Sequence, residues 1–341
     1  MSGIIKLEEL TKTYRSFNRR EGVWGSVKDL LHRDYFDVKA VDGISLDVPE
    51  GELLGYIGPN GAGKSTSIKM LTGILKPSSG SMQVNGYHPF RDRKAYTRQI
   101  GVVFGQRTQL WWDIAVIESF RLLSKIYDVR QVDFDARLKN LSEILELEAL
   151  LRLPVRKLSL GQRMRCDLAA SLLHNPKLLF LDEPTIGLDA VAKDSIRDFL
   201  RAINRDFGTT IILTTHDLKE IEELCQRIVV LDKGKIIYDG SLVKVKAMPG
   251  LKRSIVIDFA GKAPLEELST LFQGRAQFSL QSERRLVGEF APEQLPAAEV
   301  VRTVLDRHEV ADLTITEPSI EQVIVKLYRD GANGSRVAGN G

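Results

Sequence analysis

Through the first two thirds of the chain, apolar residues gather in short runs that end in glycine or polar residues. Amphipathic, helix-like stretches separate them. Glu52 to Ile57 (ELLGYI) runs straight into Gly58-Pro-Asn-Gly-Ala-Gly-Lys64, Lys177 to Leu181 (KLLFL) stops at Asp-Glu-Pro, and Thr209 to Leu213 (TTIIL) stops at Thr-Thr-His. This alternation over about residues 4–240 predicts an α/β unit with a largely parallel sheet. In such sheets ligands bind at the carboxyl ends of the strands, where the polar residues cluster. Val229 to Gly240 predicts a hairpin turning at Lys233-Gly234.

A second, smaller unit follows. Ser254 to Phe259 reads as a strand, then come a short helix, two further strands, a helix near Ala297 to Arg307 and a strand near Leu313. Ile320, Val323, Ile324 and Leu327 then form a helical stripe. The expected organisation is an α/β unit over 1–245, a small α+β domain over 246–329, and a disordered tail over 330–341, which lacks apolar periodicity.

Composition narrows the classes. The 341 residues carry 48 Lys and Arg against 45 Asp and Glu, a surplus of +3. That is too small for a protein built to neutralise a nucleic-acid backbone. Cys166 and Cys225 cannot make a disulfide framework, which fits a reducing compartment. The opening MSGIIKLEEL is not a signal peptide. No apolar run approaches the roughly 20 residues that a bilayer requires.

Gly58 to Ser65 fits G-x-x-x-x-G-K-[ST] between a predicted strand and a predicted helix. Glycines let backbone N–H groups close around phosphate, and the helix start adds its positive end. A chance glycine turn would lack that flanking pair of elements. The loop alone leaves kinases, GTPases, helicases and transport ATPases open.

The rest of the chain chooses between them. Leu158-Ser-Leu-Gly-Gln162 precedes a helix-like run, Leu178-Leu-Phe-Leu-Asp-Glu183 follows, and Gly187-Leu-Asp189 and His216 come after. With these motifs in this order the chain resembles the nucleotide-binding subunit of an ABC transporter, over roughly residues 4–240. The resemblance implies a P-loop NTPase cassette of α/β class, with a mixed sheet core and a helical subdomain at about 107–172. It also implies ATP and Mg²⁺ as cofactors.

Carried across residue by residue, the resemblance implies that Gly58, Asn60, Gly61, Gly63, Lys64, Ser65 and Thr66 hold the phosphates. Ser65, Asp182 and Gln106 attend the metal, Glu183 acts as general base, and His216 aligns it with the γ-phosphate. Tyr14 matches the adenine-stacking aromatic, with Phe17 and Tyr35 as alternatives. Ser159, Gly161 and Gln162 form the signature that reaches a neighbouring cassette's nucleotide, and Asp189 links the two sites. Alone, Asp182-Glu183 would read as strand-end carboxylates and His216 as a structural histidine. Leu160 stands where the family's signature commonly has glycine.

One P-loop and one signature in one chain imply a second cassette, most simply a second copy. The resemblance further implies integral membrane permease subunits as partners, a place at the cytoplasmic face of the membrane, and export. Arg107 to Asp113, with adjacent Trp111 and Trp112, is the expected permease contact. If helical, it would turn one tryptophan to the core and the other outward. The segment Arg15 to Lys39 holds Val23, Trp24, Val27, Leu30, Leu31 and Tyr35 in an amphipathic pattern, expected to pack on its own domain, with contact to the permease or to lipid headgroups as the alternative. Two rival readings are an ABC-type ATPase acting on nucleic acid or ribosomes, and an ATP-binding regulator without turnover. A single cassette, the lack of heptads and paired cysteines, and an intact Lys64, Asp182, Glu183 and His216 oppose them.

Overall fold

The computed structural model describes residues 3–17, 35–105 and 107–332. Gln106, the amphipathic positions from Val23 to Leu31, and the tail from residue 333 lie outside the described residues. The chain divides between Asp239 and Gly240 into two compact units.

In the first unit, strands β1 (Ile5–Phe17), β2 (Tyr35–Val48) and β4 (Ser79–Val84) form an antiparallel sheet in the order β2-β1-β4. A second sheet runs β5-β6-β7-β3-β8-β9. Its strands are β3 (Leu53–Ile57), β5 (Ile100–Phe104), β6 (Leu178–Asp182), β7 (Thr210–Thr214), β8 (Arg227–Asp232) and β9 (Lys235–Ser241). The pairs from β5 across to β8 are parallel. Every residue of β3 and β7 is buried, as strands covered on both faces require. Lys233 and Gly234 turn β8 into β9 with φ of 45° and 80°, the left-handed pair a two-residue hairpin uses.

Helix α1 (Lys64–Leu71) follows β3. Helices α2 (Val116–Ile126), α3 (Gln131–Leu145) and α4 (Leu160–Leu172) make a helical layer between β5 and β6 in the chain. Helices α5 (Ala190–Phe207) and α6 (Leu218–Leu224) flank β7. One apolar core joins the two sheets and α1 through Ile5, Ile44, Leu54, Tyr56, Ile68 and Phe180. Trp111 and Trp112 do not fall on a helix. They lie in the irregular stretch before α2 and are 42% and 50% exposed, so neither enters the core. The helical expectation fails because the Trp111 N–H donates to Ser119 Oγ and the Trp112 carbonyl accepts from the Arg156 N–H. Both bonds hold the stretch in a non-helical turn.

The second unit opens with α7 (Leu242–Lys246). It continues β10 (Arg253–Phe259), α8 (Leu265–Leu271), β11 (Ala276–Ser282), β12 (Arg285–Phe290), α9 (Ala297–Leu305) and β13 (Val310–Thr316). The antiparallel order β11-β12-β10-β13 is the ferredoxin-like arrangement. Its own core includes Ile255, Ile257, Leu268, Phe272, Leu286 and Val300. Helix α10 (Ile320–Ala332) buries the expected Ile320, Val323, Ile324 and Leu327. It also runs through Asp330, where sequence alone suggested the tail began, and there Lys326 and Asp330 pair across one turn at 3.8 Å.

His174, just past α4, ties the helical layer to β5. Its ring stacks on Tyr127 with centroids 4.0 Å apart, and Nε2–H donates to the Ile100 carbonyl at 2.9 Å. Nδ1 is buried without a hydrogen-bond partner, and burial holds the pKa down to about 4. The unfolded chain therefore binds a proton near pH 6.5 that the folded chain refuses until about pH 4, so stability falls as pH drops through that window. Asp167, lifted by burial to about 6, acts in the opposite sense, and comparison within one background cancels it. His174→Phe is expected to lose less stability between pH 7 and pH 4.5 than wild type, by up to about 3 kcal/mol. Urea midpoints at the two pH values measure it, and equal losses would refute the assignment.

Candidate functional site

The loop after β3 is built for close approach. Gly61 and Gly63 have φ of 83° and 105°, and a Cβ on Gly63 would lie 2.4 Å from the Ala40 carbonyl. No side chain caps the start of α1 and no acidic residue occupies its first turn, which leaves its leading N–H groups for an anion. Lys64 is buried beneath the loop, 7% exposed, and donates to the carbonyls of Gly58 at 2.6 Å and Pro59 at 3.2 Å. Burial lowers its pKa, and the charges of Glu183 and Asp182 partly restore it. A cation in that setting gains from phosphate oxygens what water no longer supplies.

At the ends of β6 and β7 the parallel register sets Asp182 beside Thr214. Thr214 Oγ1 donates to Asp182 Oδ1 at 2.6 Å, and Ser65 Oγ donates to the same oxygen at 3.4 Å. Glu183 follows in the left-handed region at φ 54°, with its N–H donating to the Thr214 carbonyl at 2.9 Å. His216 Nδ1 stands 3.5 Å from Glu183 Oε1. Gly105 ends β5 against this turn: a Cβ there would sit 1.9 Å from the Glu183 carbonyl. Asn60, Ser65, Asp182, Glu183 and His216 line one cavity of 660 Å³. Among the described residues no three His, Cys, Asp or Glu side chains gather as a metal cage. Hard oxygen donors from Ser65 and Asp182 alone fit a Mg²⁺ that takes its remaining ligands from substrate oxygens and water.

The other motifs lie elsewhere. Ser159, Gly161, Gln162 and Asp189 line a separate concavity of 490 Å³ that shares no lining residue with the first. Ser159 caps α4 in a reciprocal box: the Gln162 N–H donates to Ser159 Oγ at 3.2 Å, and Gln162 Oε1 accepts from the Ser159 N–H at 2.9 Å. The serine oxygen is an acceptor there, so its O–H stays available to donate outward. Leu160 Cδ2 lies 3.1 Å from where a Cβ on Gly187 would stand, so the leucine at the third signature position packs beside that glycine. Asp189 caps α5, accepting from the Ala192 N–H at 2.8 Å. Tyr14 pairs across strands with Val38, is 42% exposed under Lys12, and does not line the first cavity. Phe17 and Tyr35 sit edge to face with each other. Thr66 lies half-buried in α1.

Thr214 and Gly105 were not among the expected site residues. The hydroxyl in Thr-Thr-His and the glycine closing Val102-Val-Phe-Gly105 were the only traces of them in the sequence.

Fold and site together define a P-loop nucleotide hydrolase. The ABC transporter family model matches residues 41–186. The daunorubicin resistance ATP-binding protein DrrA3 of Streptomyces coeruleorubidus is 33% identical over 305 residues, 89% of this chain and 95% of that protein. The methionine import ATP-binding protein MetN of Geobacillus kaustophilus is 32% identical over 342 residues, 96% and 93% of the two chains. A solved dimeric ATP-binding cassette, MJ0796 in a post-hydrolysis state bound to ADP and Pi, superimposes with a TM-score of 0.57 at 27% identity. It covers 70% of this chain and 98% of its own. The chain belongs to the ATP-binding proteins of ABC transporters, and it is an ATPase that uses ATP with Mg²⁺.

Thr214→Val removes a hydrogen bond to a charged carboxylate, worth about 1.5 kcal/mol at the low end. The expected outcome is a rise of roughly tenfold in the Mg²⁺ concentration for half-maximal ATPase activity. A magnesium titration of the purified chain reads it, and an unchanged midpoint would remove Thr214 from the site.

Proposed function

We propose that this chain is the motor subunit of a membrane transporter. Two copies close around two Mg-ATP and drive substrate export through separate membrane-spanning subunits at the cytoplasmic face of the membrane. The dimer reading rests on one observation: the phosphate-facing groups and the signature groups occupy two concavities of the same chain with no residue in common. A two-fold axis brings the Ser159 concavity of one copy onto the Lys64 cavity of the other.

In this reading Gly58, Asn60, Gly61, Gly63 and the first turn of α1, with Ser65 and Thr66, wrap the phosphates, and Lys64 neutralises the β- and γ-groups. Ser65 and Asp182, together with Gln106, hold Mg²⁺, which when bound supplies positive charge to the leaving diphosphate. Glu183 takes the proton from the attacking water, and His216 keeps that carboxylate and the γ-phosphate in line. Ser159, Gly161 and Gln162 donate from the facing copy, and Asp189 spans the interface. Tyr14, beside Phe17 and Tyr35 on the long hairpin, supplies the stacking face for adenine. Loss of the γ-phosphate removes what both faces hold, and the pair reopens.

Trp111 and Trp112 supply the docking anchor for the membrane subunits. Two large aromatics stand exposed side by side, with the Arg163 guanidinium 5.6 Å from the Trp112 ring centre. No helix among the described residues is long and apolar enough to cross a membrane, so passage of substrate falls to partner chains. Export is supported by a relative named for Nod factor export, 38% identical over 207 residues, 60% of this chain. The methionine-import relative spans more of this chain, which makes direction a matter for assay in oriented vesicles.

Glu183→Gln keeps size and removes the base. It is expected to cut ATPase turnover by at least about a hundredfold and to yield a dimer on size exclusion in ATP where wild type remains monomeric. A monomeric mutant in saturating ATP would sink the sandwich. Trp112→Ala is expected to abolish transport in reconstituted vesicles while basal ATPase stays within about twofold. A proportional loss of both would remove the tryptophan from the docking surface.

A further inference from the structure

Lys193 lies one turn into α5, where its backbone N–H donates to the Asp189 carbonyl at 3.0 Å. Its ammonium reaches across to α6 and donates to Asp217 Oδ2 at 2.6 Å. Asp217 is the residue directly after His216. It caps α6 by accepting from the Lys219 N–H at 3.2 Å, and its own N–H donates to Thr215 Oγ1 at 3.0 Å. Glu220, 1% exposed, places Oε1 4.0 Å from Lys193 Nζ, and that oxygen has no hydrogen-bond partner. Lys193 and Asp217 are themselves only 26% and 29% exposed. The lysine is thus hemmed in by two carboxylates, one of them wholly buried.

The packing of α5 on α6 does not need this pair. Arg197 already reaches Glu223 at 3.1 Å, and Arg201 donates to the Glu223 carbonyl at 3.4 Å. Asp194 pairs with Arg197 on α5 itself, and Lys219 faces Glu223 at 4.0 Å on α6. What Lys193 adds is a link between the carbonyl of Asp189 and the residue that directly follows His216.

We propose that Lys193 is a positioning residue for hydrolysis: it ties the Asp189 turn to the His216 turn, so that His216 meets Glu183 only when the Asp189 turn is in place. The inference rests on the role given to His216 above. Its chemistry is a charge-assisted strut, partly desolvated and therefore stiffer than an exposed pair.

The test uses the full-length protein with steady-state ATPase kinetics, binding of a fluorescent ATP analogue and thermal unfolding. Lys193→Met is expected to lower kcat at least tenfold with KM for ATP within twofold, and Lys193→Arg to restore kcat to within threefold of wild type. Asp217→Asn keeps the cap but loses the charge. It should reproduce the kcat loss, and the double variant should be no worse than either single one. Arg197→Met should lower the unfolding midpoint and leave kcat within twofold. Should Lys193→Met keep wild-type kcat while His216→Ala loses a hundredfold, the strut is overturned and the role of His216 stands. If His216→Ala retains activity, that role fails and the strut with it. Equal losses of kcat and nucleotide binding in Lys193→Met would show a structural residue only, and would also overturn the proposal.

Discussion

A buried ammonium sets the terms for the first unit. Lys64 sits under its own glycine loop, its charge penalised by burial and partly supported by Asp182 and Glu183. Those carboxylates can face it because β3, β6 and β7 lie side by side in one parallel sheet and end at the same level. The loop can cover it because two glycines take left-handed backbone where any side chain would strike Ala40 or lose its preferred conformation. Placing cation and anions around an open cavity makes the strand ends a receptor for a triphosphate with its metal.

The same unit carries a second concavity that shares no lining residue with that receptor. Helix caps organise it: Ser159 and Asp189 each begin a helix, and each is also a residue that the family resemblance assigns to the dimer interface. Capping fixes a short polar side chain at low entropic cost, since the rotamer is already chosen by the helix start. Interface groups placed this way need little rearrangement on closure, which favours a fast and reversible association.

Strand-end chemistry could be read directly from the residues. The runs before Gly58, Asp182 and Thr214 are short, apolar and abruptly ended, and their polar termini meet in the structure as parallel strands demand. The hairpin at Lys233-Gly234 and the stripe from Ile320 to Leu327 were equally plain, because local periodicity and turn chemistry decide them. What escaped was non-local. Thr214 earns its place through a register with Asp182 that no local pattern reveals, and Gly105 through the passage of β5 beside Glu183. Trp111 and Trp112 misled because an angle of about 100° between neighbours holds only on a helix, and two hydrogen bonds hold that stretch in a non-helical turn. Tyr14 was recognisable as a motif residue, yet its hairpin holds it away from the cavity lining.

The ferredoxin-like second unit has an apolar core of its own, filled by residues such as Ile255, Phe272 and Val300. A module with its own interior can be exchanged, shortened or redesigned by recombination as one piece, which leaves such an appended fold free to diverge in purpose.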